Sequence, residues 1–183
     1  SRLLTLALLD AVSSAELREP VERLLRAFGP MILADIVSVY ADHDRSPEDR
    51  EAIGRQLTAI GPSIVLPVCR WIGPAPSSMD DEWVRLLGTL GSAASRSLSA
   101  AYEQAASDAE GAAVHRSSHR RAVIIRAMAA AGARNALLRL RRVEEDPSLQ
   151  EHIEQALQRE STARSVGSRD DGIDAEESNR GRL

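Results

Sequence analysis

The chain has 183 residues, 43% of them apolar, with 23 basic against 27 acidic side chains and a formal net charge of −4. That length leaves room for one domain with a buried core or for an open array of repeats, and the charge excludes a general attraction to nucleic acid or an anionic membrane. Every basic residue is arginine, which a GC-rich genome explains more simply than selection for bidentate contacts.

The opening SRLLTLALLDAV predicts a helix over 2–12. It lacks a cleavage motif, carries Asp10 and follows no initiator Met, so we expect part of a longer protein and no signal peptide. Ser13-Ser14-Ala15-Glu16 resembles a capping box ahead of a helix over 15–28, and Gly29-Pro30 opens another over 30–41. Ser46-Pro47-Glu48-Asp49 places a capping hydroxyl, a first-position proline and acids ahead of a helix over 47–60. Gly61-Pro62 then leads into a helix over 62–72, whose single Cys69 reads as a small buried residue. Ser78-Met79-Asp80-Asp81 starts a helix over 79–90, Gly91 ends it, and 92–106 follows. After the long connection at 107–115, helices over 116–131 and 133–145 flank Gly132, and Asp146-Pro147-Ser148 starts one over 148–160. The ordered domain is expected over 1–160. From Ser161 the sequence is polar and without period, so 161–183 is expected to be a disordered tail or linker.

The helices repeat in pairs. Eight residues before Gly29, Gly61, Gly91 and Gly132 stand Val21, Ile53, Trp83 and Ile124; four before stand Leu25, Leu57, Leu87 and Met128. One before come Phe28, Ile60, Leu90 and Ala131; eleven after come Tyr40, Ile72, Tyr102 and Val143. This is one apolar face at helical spacing, returning with each pair, and such recurrence is the mark of a solenoid.

These residues resemble HEAT-like repeats, particularly the short bacterial kind of the phycocyanobilin-lyase-like group. The resemblance covers about 15–160 and is carried by Trp83, Val84, Arg85 and Gly88 in EWVRLLGTLG, and by Asp146, Pro147, Ala156 and Leu157 near the end. It implies an all-α, right-handed solenoid of about four helix pairs whose second helices line the inner face. No segment carries a full Asp-x-x-x-Val-Arg signature, Asp81 with Val84-Arg85 coming nearest. The second helix of the third pair, SAASRSLSAAYEQ, is unusually rich in serine, which fits looser packing or a face covered by a partner.

Chemical motifs are sparse. His115 and His119 share a helical spacing used by metal pairs, but Arg116, Ser117 and Ser118 lie between them where a zinc protease needs glutamate. Glu151-His152 reverses the His-Glu order that iron hydroxylases built on HEAT repeats use. No nucleophile elbow, P-loop or dinucleotide fingerprint occurs, so we expect neither a cofactor nor a catalytic residue. The acids at Asp42, Asp44, Glu48, Asp49, Asp80, Asp81 and Glu82 suit helix starts. The densest basic stretch is Arg116, Arg120, Arg121, Arg126 and Arg134, followed by Arg139, Arg141 and Arg142.

The expected function is a non-catalytic protein-interaction scaffold, a cytoplasmic module of a larger bacterial protein with a protein partner. The alternative is nucleic-acid binding through the arginine-rich fourth pair. An enzyme related to bilin lyases is a third possibility. Helical positions two, six and nine after each glycine avoid most of the apolar stripe. They place Asp35, Ser38, Arg70, Arg134 and Arg141 on the expected contact strip, acidic at one end and basic at the other. Trp71 is the expected anchor at its edge.

Overall fold

A computed structural model of the chain describes residues 20, 23, 32–42, 45–108 and 114–170, the side chains of 114, 160 and 162–170 excepted. Among these residues every regular element is a helix. We number them α1 (32–40), α2 (Pro47–Ile60), α3 (Val65–Trp71), α4 (Asp80–Gly88), α5 (Ser95–Ser107), α6 (Val114–Ala130), α7 (Arg134–Val143) and α8 (Pro147–Asp170). The helix expected over 2–12 lies outside the described residues, as does nearly all of the one over 15–28.

Local signals place the ends. The Ser46 hydroxyl accepts the Asp49 N–H at 3.1 Å and Pro47 fills the first helical position of α2. The Asp146 carboxylate does the same for α8, accepting the Ser148 N–H at 2.9 Å. Gly61, Gly91 and Gly132 have φ of 87°, 61° and 67°, the left-handed conformation in which a side chain would meet its own carbonyl. At Gly61 the helix direction swings by 110°.

Three expected helices start differently. Those over 62–72, 79–90 and 92–106 open as 3-10 turns, Pro62–Ile64, Ser77–Met79 and Gly91–Ala94, before α3, α4 and α5 begin. At the first, the Val65 N–H bonds back to the Pro62 carbonyl, closing the tighter ring. The expected end at 160 is also corrected, because α8 continues to Asp170. No glycine or proline interrupts the chain between Pro147 and Gly167, so composition changes at Ser161 without any residue that stops a helix. The rest of the expected tail, 171–183, lies outside the described residues.

The helices pack in a regular order. α2 rests on α4, α4 on α6 and α6 on α8; α3 rests on α5 and α5 on α7. α6 also touches both α5 and α7, so a single apolar core runs between these two rows. Leu57, Leu87 and Met128, equivalent in the repeat, are fully buried in α2, α4 and α6. Ile53, Trp83 and Ile124 are buried one turn or more before them.

Val143 breaks the expected register. Tyr40, Ile72 and Tyr102 are buried, whereas Val143 is 72% exposed. Tyr40 is covered by the Trp83 ring of α4, with ring centroids 5.1 Å apart, and the Ile72 carbonyl is met by Arg120 of α6 at 3.1 Å. Both contacts come from the first helix two pairs further along, while Tyr102 is met by Arg121 of α6 and by Glu144.

Candidate functional site

Most of the arginines that crowd the fourth pair tie helices together. Arg120 donates to the Ile72 carbonyl and pairs with Asp108 at 3.3 Å. Arg121 pairs with Glu144 at 3.2 Å and lies over the Tyr102 ring, 5.7 Å from its centroid. Arg126 pairs with Asp81. The three acids that open α4 are therefore more than dipole partners. Asp80 lies 3.2 Å from His119 Nε2, Asp81 holds Arg126, and Glu82 holds Arg50 at 2.8 Å. His115, one turn before His119, is exposed, and among the described residues no three His, Cys, Asp or Glu side chains converge as a metal would need.

An open groove lies between α5 and α7. This groove, about 680 Å³, has Ser92, Ser95, Arg96, Ser99 and Glu103 on one side and Ala136, Arg139, Leu140, Arg142 and Val143 on the other. The neighbouring space between α3 and α5 is small, about 10 Å³. Between α3 and α5, Leu66, Cys69 and Arg70 meet Ala101, Gln104 and Ala105, with Arg120 of α6 beside them; in the α5–α7 groove the short side chains Ser92, Ala93, Ser95 and Ser99 lie on the α5 side.

Charge in the open groove is one-sided. Arg139 is held along α7 by its Nε–H donating to the Asn135 carbonyl at 3.2 Å. Arg96 and Arg142 are exposed and form no ion pair among the described residues. Glu103 is the one acid lining this space. Ser99 turns its hydroxyl back onto the Ser95 carbonyl at 3.0 Å, so its side chain adds little bulk.

A second depression, about 390 Å³, lies between α2 and α4 over Tyr40, Gly54 and Leu86. Burial, with a smaller contribution from the charge of Glu82, raises the Tyr40 hydroxyl pKa above its ordinary value. The Thr58 and Thr89 hydroxyls, 3.1 Å apart, bridge α2 and α4 along its wall. Arg50 and Arg55 on its rim are engaged by Glu82 and Glu51, which leaves this space with less uncommitted charge than the α5–α7 groove.

None of the six residues expected on the contact strip lines the open groove. Asp35 and Ser38 are half-buried on α1, where the Ser38 hydroxyl donates to the Asp35 carbonyl at 2.9 Å. Arg70 is exposed on α3. Trp71, expected to stand exposed, is half-buried against the core at the end of α3. Arg134 and Arg141 are brought together toward α8, donating to the Ser161 hydroxyl at 3.2 Å and pairing with Glu154 at 2.6 Å. Arg96, Arg142 and Val143 line the groove and lie off the expected strip. The serine-rich run around Arg96 marks the α5 side alone.

Among the described residues no single helix is long and apolar enough to cross a membrane. No family model, curated protein or solved structure matches this chain.

Proposed function

We propose that the chain is a right-handed α-solenoid of HEAT-like helix pairs that acts as a non-catalytic protein-interaction scaffold. Its contact surface is the row of second helices, α1, α3, α5 and α7, and its binding element is the α5–α7 groove. The order of helix contacts supports the stacking, since each first helix rests on the next first helix and α3, α5 and α7 follow one another in the same way. The observation that carries the functional reading is the groove itself, about 680 Å³ between α5 and α7, where the space between α3 and α5 is about 10 Å³.

Nucleic-acid binding through the fourth pair draws on the same arginines. Arg121, Arg126 and Arg141 are already engaged by Glu144, Asp81 and Glu154, and no aromatic side chain lines the groove to stack a base. The protein-scaffold reading therefore stands first.

A photo-crosslinking residue placed at Ser99, in the groove, and separately at Glu151, exposed on α8, tests it in the native cell. Capture of a discrete protein partner from position 99 is the expected result. Capture from position 151 alone would move the contact surface to the other row of helices.

A further inference from the structure

We infer that the α5–α7 groove takes an acidic peptide segment bearing one apolar side chain, with its carboxylates set against Arg96, Arg139 and Arg142 and the apolar group on Leu140 and Val143. The inference rests on the scaffold reading and names the partner chemistry of the same groove.

Three independent features point to that occupant. The first is charge. The chain as a whole carries −4, so an anion is not drawn to it in general, yet three arginines face one glutamate in this groove. Arg139 and Arg142 stand three residues apart on one face of α7, and Arg96 reaches in from α5. A guanidinium presents its N–H groups as a planar fork that matches a carboxylate, so a run of acidic side chains can engage each arginine in turn.

The second feature is an uncovered apolar position. Val143 occupies the register in which Tyr40, Ile72 and Tyr102 are buried, yet it is 72% exposed at one end of the groove. Beside it Leu140 lines the same space. An apolar side chain seated there would cover surface that the equivalent positions never leave in water.

Shape is the third. Ser92, Ser95 and Ser99 keep the α5 wall low, and the groove runs along two helices rather than closing into a cavity. That form suits an extended or helical segment better than a compact small molecule. Duplex nucleic acid fits it less well, because three arginines in a channel neutralise few phosphates.

The test uses fluorescence anisotropy of a fluorescein-labelled peptide of alternating Glu and Asp with one central Leu, titrated with the full chain. The labelled lysine counterpart serves as the charge control. The double variant Arg96→Glu/Arg142→Glu is expected to weaken binding by about tenfold or more, because two attractive contacts become repulsive. Val143→Ser is expected to weaken it by about threefold, through lost apolar contact. The double reversal Arg116→Glu/Arg159→Glu makes the same change of charge at exposed residues of α6 and α8, outside the groove, and should leave binding near that of the unaltered chain. Circular dichroism of each variant checks that the helices remain.

Equal loss in the Arg116/Arg159 control would show that the peptide senses only total charge, and would overturn the inference. So would unchanged binding in Arg96→Glu/Arg142→Glu, tighter binding of a short duplex DNA than of the peptide, or equal binding of the lysine peptide. Self-association that disappears in Arg96→Glu/Arg142→Glu would place a second copy of the chain in the groove and overturn the peptide assignment. Partner capture from Ser99 with no peptide binding refutes the acidic chemistry alone. Capture from Glu151 alone refutes the scaffold surface itself.

Discussion

The Tyr102 hydroxyl of α5 donates a hydrogen bond to the Glu144 carboxylate in the turn between α7 and α8. The same carboxylate takes the Arg121 guanidinium of α6 at 3.2 Å and the Asp146 N–H at 3.0 Å. One nearly buried acid thus joins α5, α6 and the entry to α8. Burial and the Glu144 carboxylate together hold the Tyr102 phenol well above its ordinary pKa, so it stays protonated and keeps donating.

Removing the acid should therefore cost more than removing the phenol oxygen. Glu144→Ala is expected to destabilise the fold by about 2–3 kcal/mol, since Arg121 is left in a poorly solvated site with only the longer pair to Asp146 at 3.8 Å. Tyr102→Phe should cost about 1 kcal/mol, as one hydrogen bond is lost and Arg121 still neutralises the acid. Urea unfolding of the two variants measures both. Equal costs would mean that the cluster is bathed in water and holds nothing in place.

Gly88 and Ala130 set how closely α4 approaches α6. A Cβ added at Gly88 would stand 2.8 Å from the Ala130 Cβ and 3.4 Å from its carbonyl carbon. Gly88→Val should destabilise by about 2 kcal/mol, with the overpacking outweighing the roughly 0.4 kcal/mol by which valine is the better helix former. Adding Ala130→Gly removes the nearest atom, so the double variant should recover part of that loss. Additive losses in thermal unfolding would show that the two residues do not touch.

The helices were legible because their signals are local. Ser46, Pro47, Asp146 and the glycines at 61, 91 and 132 act on residues within a turn of themselves, and periodicity alone marks Leu57, Leu87 and Met128 as core. Partners brought together across the chain were not legible. Nothing near Asp80 indicates His119, and the register that buries Tyr40, Ile72 and Tyr102 gives no warning that Val143 is exposed. The groove was half legible. The serine run marked α5 as unusual, but only the packing of α5 beside α7 turns short side chains into an open space between arginines.

Cys69 provides a pH-dependent check on the core. Burial in α3 pushes its thiol up to about 12 from an ordinary 9.0, with Arg120 pulling slightly the other way. A raised folded-state value means that the neutral form is favoured by folding. Its contribution is then whole below pH 9 and fades as pH climbs toward 12. Stability should fall above pH 9, and Cys69→Ala should flatten the first part of that fall. Near neutral pH a thiol reagent should label Cys69 no faster than the chain opens. Fast labelling of the native protein would place the thiol at the surface instead.

Arg141 and Arg142 are neighbours in sequence but face different helices. About 100° of helical turn separates them, so one meets α8 and the other the α5 groove. Arg141 pairs with Glu154 at 2.6 Å, both side chains about half exposed, while Arg142 lines the groove without an ion pair among the described residues. Charge reversal should therefore split their roles. Arg141→Glu is expected to lower stability by roughly 0.5–1 kcal/mol, the scale of an exposed pair turned repulsive, and Glu154→Arg added to it should restore the loss. Arg142→Glu should leave the unfolding midpoint within experimental error, because no opposite charge waits for it at home. The check is chemical unfolding of all three variants at low salt, repeated at high salt, where screening should shrink the Arg141 effect and leave Arg142 as it was. An Arg142 effect as large as that of Arg141, or no rescue by Glu154→Arg, would mean that the two arginines are not divided between holding α8 and facing the groove.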